Sequence, residues 1–380
     1  MPFPRLRRIT RDGHWIPEID GLRFIAIFSV ILFHLGTELS ARIGPVPTGI
    51  LFLPVQNGLR GVQLFFTISG FVLALPFAKQ FLADGKTVSL RKYYLRRLTR
   101  IEPPYLVALA GCTILYALYH HDWHAALVHS AVSAFYLHSL VFGNTSLVNG
   151  VLWSLEIEVQ FYLIAPLLMQ IYRIRNFSGR LLCYFAAVAI SWIVELFFRT
   201  PRVDLSLPSV LSYFAMGLLA ADIYVTSRAK SHKLAKDVAG LAALALFFSI
   251  PGAKLFWIGP FCTCLLCIAT LQGHWLRRAF STRWIAVAGG MCYSIYLLHL
   301  KLMEIVLFVT RHCILPQASY AENYLLQIVV TGIPVLLLCA LFYITIERPC
   351  MDPAWPSKLW HTITKRRAAE ANSLDSSGVS

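Results

Sequence analysis

Asp20-Gly21-Leu22-Arg23-Phe24-Ile25-Ala26-Ile27-Phe28-Ser29-Val30-Ile31-Leu32-Phe33-His34 opens the first long apolar run of the chain. Arg23 and His34 are eleven residues apart. In an α-helix that leaves them about 20° apart around the axis and about 16 Å apart along it. One face of one helix carries a fixed cation near one end and an imidazole three turns deeper. Ionisable groups in a hydrocarbon-length segment are costly and are kept for function. The stretch reads as a membrane span with a reactive face.

The rest of the chain agrees. Hydrophobic residues make up 57% of the 380 and charged residues 14%, where a soluble domain has roughly 45–50% and about 25%. Mean hydropathy is +0.62. Apolar stretches long enough to cross a bilayer recur along the sequence, which implies an all-α, polytopic transmembrane bundle. The alternation of lipid-facing and lumen-facing residues that a β-barrel requires is absent.

A formal net charge of +15 invites a nucleic-acid partner, but its distribution points elsewhere. Spans are expected near residues 21–39, 61–78, 103–120, 150–171, 181–198, 207–226, 237–252, 255–272, 285–307 and 324–346. With a cytoplasmic N-terminus, 26 Lys and Arg fall in cytoplasmic segments and 6 on the opposite side, with Arg23 and Lys301 inside spans. That is the positive-inside asymmetry. It implies a multi-pass protein of the cell (inner) membrane with both termini cytoplasmic, surrounded by membrane lipids, and no nucleic-acid partner. Residues 124–142 are apolar enough to cross, but a crossing there would invert every later loop. They are expected to form a short interfacial or re-entrant helix on the non-cytoplasmic side, with an eleventh span as the alternative.

The chain reads as a basic arm over 1–18, one membrane domain over 19–349, and a cytoplasmic tail over 350–380 ending in a polar, disordered run. The first span carries Arg23 and His34 and is followed by no small-residue cleavage site, so no cleavable signal peptide is expected. The nine cysteines form no disulfide framework; Cys262, Cys264 and Cys267 have no accompanying His or carboxylate. They read as small hydrophobes, and no metal is expected. Basic and apolar residues alternate over Leu90 to Ile101 as in an amphipathic helix at the inner membrane face. Pro103-Pro104 is expected to end that helix and start the next span.

Histidine is the side chain best suited to general-base work near neutral pH. A lone membrane histidine is explained equally by packing, and an arginine near an interface by snorkelling to headgroups. Their common face favours function for both Arg23 and His34. Arg96, Arg97 and Arg100 add a basic cluster suited to phosphate, with plain positive-inside charge as the alternative. The fourth expected span opens with Trp153-Ser154-Leu155-Glu156-Ile157-Glu158-Val159-Gln160-Phe161-Tyr162. Glu156 reads as a solvated helix cap. Glu158 lies deeper and is the carboxylate that would orient His34 and stabilise its imidazolium. Ser69-Gly70 permits close helix approach, with a ligand contact from the hydroxyl as the alternative. Tyr296 and His299 share a face at i, i+3. The pocket is expected to be lined by Ser69, Trp153, Gln160, Tyr296 and His299. His120, His121, His124, His129 and His138 read as solvated or interfacial, without a role.

Five motifs occur in order: Arg-x10-His at Arg23 and His34, Phe-x-x-Ser-Gly-Phe at Phe66–Phe71, and Arg-Arg-x-x-Arg-Ile-x-Pro at Arg96–Pro103. Trp-Ser-Leu-x-x-Glu-x-Gln-Phe-Tyr at Trp153–Tyr162 and Tyr-Ser-Ile-Tyr-Leu-Leu-His at Tyr293–His299 follow. From about Ile19 to Pro349 the chain resembles acyltransferase family 3, integral-membrane enzymes that O-acetylate cell-surface and secreted sugars. The resemblance implies cytoplasmic acetyl-CoA as acyl donor and a hydroxyl on a glycan or lipid-linked sugar as acceptor. It makes Arg23 and His34 the functional pair and Glu158 the carboxylate of the fourth-span motif. Many relatives carry two adjacent acids there, whereas here Val159 takes the second position and Glu156 precedes. Some relatives carry a fused extracytoplasmic hydrolase-like domain, so a separate acyl-accepting partner protein is a further expectation.

Two mechanisms fit these residues, direct general-base transfer and an acyl-histidine intermediate. Arg23, Arg96, Arg97 and Arg100 would hold the donor's phosphates. A transporter or flippase using Arg23, His34 and Glu158 as a polar relay is the competing class.

Overall fold

The computed structural model describes residue 6, residues 15–227 and 233–352, and residues 354, 355 and 357. Arg5, Arg7, Arg8 and Arg11 of the basic arm, Arg228, Lys230 and the polar tail from 358 lie outside the described residues. The longer helices are α1 (Pro17–Ile43), α2 (Gly61–Leu82), α3 (Leu90–His120), α4 (Trp123–Ala134), α5 (Leu152–Leu168) and α6 (Phe177–Phe197). They continue with α7 (Leu207–Thr226), α8 (Lys233–Ser249), α9 (Gly252–Gln272), α10 (Cys292–Thr310) and α11 (Tyr320–Cys350). No strand occurs among the described residues. The protein is an all-α, polytopic, integral membrane bundle.

Among the described residues, nine helices are long and apolar enough to cross a membrane. The remaining expected span, 237–252, falls on α8, a helix of 17 residues. At 1.5 Å per residue it reaches about 25 Å, slightly less than a hydrocarbon core of about 30 Å. The ambiguous segment 124–142 forms α4, of 12 residues, and a helical turn over His138–Phe142. At about 18 Å, α4 is too short to span. It lies against α3, where the Tyr105 hydroxyl donates to the Ser133 carbonyl at 2.7 Å and Thr113 and Ser130 share a 2.6 Å hydrogen bond.

Prolines do not break these helices, contrary to the expectation at Pro103-Pro104. Instead α3 runs unbroken through both prolines. A proline inside a helix strands the carbonyl four residues earlier, because it has no N–H to donate. Pro103 strands Thr99, whose oxygen accepts the Trp355 indole at 2.9 Å. Pro166 in α5 strands Tyr162, whose oxygen accepts the Tyr93 hydroxyl at 3.2 Å. Pro260 in α9 strands Phe256, whose oxygen accepts the Trp192 indole at 3.3 Å. In each case an aromatic donor from elsewhere in the chain restores the missing bond, so the proline becomes a cross-link between elements.

The core is centred on α7, which packs against α2, α6 and α9. Its closest crossing is with α2. A Cβ built on Gly70 would lie 2.4 Å from the Phe214 carbonyl oxygen, and one on Gly217 would lie 2.2 Å from that of Thr67. Backbones approach this closely only where side chains are missing. A buried ion pair ties α6 to α7: the Arg180 Nε and Nη2 donate to the two Asp222 oxygens at 2.6 and 3.0 Å, and the Tyr184 hydroxyl adds a 2.9 Å bond. The remaining Arg180 nitrogen donates to the carbonyls of Ile174 and Arg175.

Removing one partner of such a pair leaves the other charge buried and uncompensated. Asp222→Ala is expected to destabilise the bundle by about 3–5 kcal/mol, and Tyr184→Phe by about 1 kcal/mol. Thermal unfolding of the detergent-solubilised protein checks both; equal midpoints for Asp222→Ala and wild type would remove the pair from the stability account.

Candidate active site

Ser154, Glu158 and Tyr162 recur every four residues along α5, so they stack on one face. The Tyr162 hydroxyl donates to Glu158 Oε1 at 2.5 Å. The Ser69 hydroxyl, brought in by α2 beside the Gly70 crossing, donates to the same oxygen. One turn earlier, Ser154 is hydrogen-bonded to the Tyr296 hydroxyl of α10. Tyr296 itself donates to the Val151 carbonyl at 2.8 Å, so Ser154 is the donor of that pair. A polar seam thus runs between α2, α5 and α10.

At one end of the seam stand cations. Arg97 lies with its guanidinium carbon 3.6 Å from the Tyr93 ring centre and 5.5 Å from that of Tyr162, and donates to the Tyr93 carbonyl at 2.8 Å. Arg23 and Arg97 are both within electrostatic reach of Glu158, and Arg100 within reach of Arg97 and Tyr162. Arg23 is not extended toward headgroups. Its Nη1 donates to Asp20 Oδ1 at 2.7 Å, while Asp20 Oδ2 accepts the Trp15 indole, also at 2.7 Å. Arg100 is half-buried, and Arg96 is on the exposed face of α3.

At the other end stand two imidazoles. The rings of His34 and His299 lie 5.2 Å apart between centres, and Tyr296 lies 5.8 Å from His299. His299 is fully buried. Its Nδ1 lies 3.0 Å from the Ile295 carbonyl and 2.9 Å from that of Tyr296. The Nε2 atoms of both histidines are buried without a hydrogen-bond partner among the described residues. The seam therefore passes from Arg23, Arg97 and Arg100 through Glu158, Ser154 and Tyr296 to His299 and His34.

The arrangement differs from expectation in four places. Glu158 is joined to Ser69 and Tyr162, and among the described residues no carboxylate is hydrogen-bonded to His34. Glu156 is no solvated cap: it is 1% exposed, and its Oε2 accepts the Ser139 backbone N–H at 2.8 Å, anchoring the turn over His138–Phe142. His138 is buried too, 2.7 Å from His129 through ring nitrogens and 3.3 Å from the Asn144 carbonyl. The chain after α4 folds back over α5, which a linear reading cannot see. Trp153 packs edge-on to Phe66 at 6.4 Å, and the Gln160 side-chain nitrogen is buried without a partner. Tyr162 joins the seam without an expectation from the sequence, although its i+4 spacing from Glu158 is a usable signal. Nothing in the sequence signalled that His299 adjoins His34.

The fold and this seam define a class, the polytopic membrane proteins with a reactive polar seam inside the bundle. Residues 16–344 match the Acyl_transf_3 family model, described as an acyltransferase domain, and the chain belongs to that family. It is similar to O-acetyltransferase OatA of Staphylococcus aureus (strain NCTC 8325 / PS 47), 24% identical over 91% of this chain and 59% of that protein. The peptidoglycan O-acetyltransferase OatA of Listeria monocytogenes serovar 1/2a is 28% identical over 44% of this chain and 26% of its own length. A putative O-acetyltransferase of S. aureus (strain COL) is 24% identical over 77% of this chain and 51% of its own. The chain thus spans from about a quarter to about three fifths of the length of these curated relatives. No solved structure matches it.

Because Ser69 and Tyr162 share one acceptor atom, their contributions should couple. Ser69→Ala and Tyr162→Phe are each expected to lower acyl-transfer activity, with the double variant departing from additivity by about 0.5–3 kcal/mol in transition-state free energy. A double-mutant cycle on kcat/KM reads the coupling, and strict additivity would show that Glu158 is not their shared point of action.

Proposed function

We propose that the protein is a membrane O-acetyltransferase that moves an acetyl group from cytoplasmic acetyl-CoA to a hydroxyl of a cell-surface or lipid-linked glycan. The observation that carries this reading is the seam itself: guanidinium groups at one end, two partner-free imidazole nitrogens at the other, and hydroxyl-bearing side chains between. Membership of the acyltransferase family and the O-acetyltransferase names of the relatives support it.

The donor set suits the proposed co-substrate. Arg23, Arg97 and Arg100 present planar, always-charged groups of the kind that hold phosphate oxygens. Arg97 is held over two aromatic rings, which limits the entropy it would lose on binding. The roughly 16 Å along α1 between Arg23 and His34 suits a donor whose phosphates and thioester are joined by a long flexible arm. The inner cell membrane, with both termini cytoplasmic, follows as the proposed setting from the Lys and Arg asymmetry.

In this reading His34 takes the proton of the acceptor hydroxyl while that oxygen attacks the thioester carbonyl. The C–O ester bond forms, the C–S bond breaks, and the departing thiolate takes the proton from His34. General-base assistance contributes about 10²–10⁴-fold. Positioning in a site closed to water supplies a further share. A separate acyl-accepting protein remains a proposed partner, matching the part of the relatives that this chain does not cover.

In cells lacking the protein, wild type is expected to add the mass of one acetyl group per modified envelope sugar, and His34→Ala at equal membrane abundance to add none. Acetylated product from both would remove His34 from the chemistry. Acetyl absent from glycan, lipid and secreted fractions alike would overturn the transferase reading in favour of transport. Arg97→Gln and Arg100→Gln are expected to raise the KM for acetyl-CoA about tenfold each, equivalent to about 1.4 kcal/mol, with kcat little changed. Thiol release by membranes at graded acetyl-CoA measures this, and an unchanged KM would place the donor elsewhere.

A further inference from the structure

A general base works best when the nitrogen opposite the reacting one has a partner. In catalytic triads a carboxylate fills that role, holding the tautomer and stabilising the imidazolium. Here the expected carboxylate is occupied elsewhere: Glu158 is bonded by Ser69 and Tyr162. The ring beside His34 belongs to His299.

The chemistry of His299 is constrained by its backbone contacts. Carbonyl oxygens only accept, so the Nδ1 that contacts the Ile295 and Tyr296 carbonyls carries the ring hydrogen. In the neutral imidazole that leaves Nε2 with a lone pair and no hydrogen. This Nε2 is buried and has no partner among the described residues, and the same is true of His34 Nε2. Two buried nitrogens without partners in adjacent rings are unusual, since buried polar atoms are nearly always bonded.

The spacing is that of a hydrogen-bonded pair. His129 and His138 are joined by a 2.7 Å nitrogen–nitrogen contact with ring centres 5.0 Å apart. His34 and His299 have centres 5.2 Å apart, with ring planes at 54°. A nitrogen–nitrogen hydrogen bond between two imidazoles places their centres about 5 Å apart, the separation found here.

We propose that His299 is a positioning residue for His34, accepting the His34 Nε2–H through its own Nε2 lone pair when His34 becomes imidazolium. The proposal rests on the acyl-transfer reading. The acceptor hydroxyl gives its proton to His34 Nδ1 as the C–O bond forms and the C–S bond breaks. The imidazolium then carries N–H on both nitrogens, one held by His299 and the other passed to the leaving thiolate. A neutral imidazole in this role avoids placing a second permanent charge inside hydrocarbon, where charge is costly. It supplies orientation without the desolvation penalty that a buried carboxylate would carry.

The test compares His299→Leu, which removes the acceptor, with His299→Gln, whose amide oxygen can replace Nε2. Membranes carrying each variant at equal abundance, with the envelope glycans of the producing cells as acceptor, are given acetyl-CoA, and both thiol release and ester formation are followed. His299→Leu is expected to lower kcat by about 10–100-fold, the usual cost of losing a partner behind a functional imidazole, with the KM for acetyl-CoA within about twofold. His299→Gln is expected to recover about tenfold of that loss by restoring the acceptor. Full kcat in His299→Leu, a loss confined to KM, or a His299→Gln no better than His299→Leu would each overturn the proposal. Should His299→Leu not fold, nitrogen-15 NMR of labelled wild type decides, since a His299 signal protonated at Nε2 contradicts it. If wild type releases no more thiol than His34→Ala, the acyl-transfer reading itself fails and the proposal falls with it.

Discussion

Hydrocarbon offers no hydrogen bonds, so a carbonyl stranded by a proline inside this bundle is stabilised by a donor from another part of the protein. The pairs Tyr93 to Tyr162, Trp192 to Phe256 and Trp355 to Thr99 are the consequence. The first of them matters most for chemistry. Pro166 frees the Tyr162 carbonyl, Tyr93 moves in to satisfy it, and Arg97 then lies over both rings. The same tyrosine, through its hydroxyl, holds Glu158. A backbone requirement in α5 thus sets where a guanidinium and a carboxylate meet.

Close packing supplies the second constraint. The Gly70–Gly217 crossing lets α2 approach α7 to within backbone contact, and it fixes the neighbouring Ser69 against Glu158. Substituting either glycine would push α2 outward and carry the hydroxyl with it, so packing and polar contact are one feature of the sequence. Elsewhere buried polar groups are paired for stability. Arg180 and Asp222 join two helices, and Arg60 donates to the carbonyls of Phe247 and Ile250 at the end of α8, both at 2.6 Å. The partner-free nitrogens of His34 and His299 stand out against that background.

The likeness to O-acetyltransferases and the seam bear on each other. Family membership covers the membrane bundle from residue 16 to 344. The relatives are longer than the part this chain matches. The bundle itself brings guanidinium groups to one end of the polar seam and two imidazoles to the other.

Composition and hydropathy were enough for the fold class, because a chain this apolar with recurrent spans has no soluble alternative. Local periodicity was enough to put Arg23 and His34 on one face of α1, because helical geometry is the same wherever a helix forms. It failed where the outcome depends on another helix. Pro103 does not end α3, because Trp355, more than two hundred residues later, satisfies the carbonyl it strands. Glu156 is buried because the chain after α4 folds back to cover it. His34 has His299 for a neighbour instead of Glu158 because α10 packs against α1 at that depth. The sequence by itself determined the helical membrane bundle and the common face of Arg23 and His34; only the packing of distant helices decided which polar side chains meet, since such contacts leave no periodic trace in the chain.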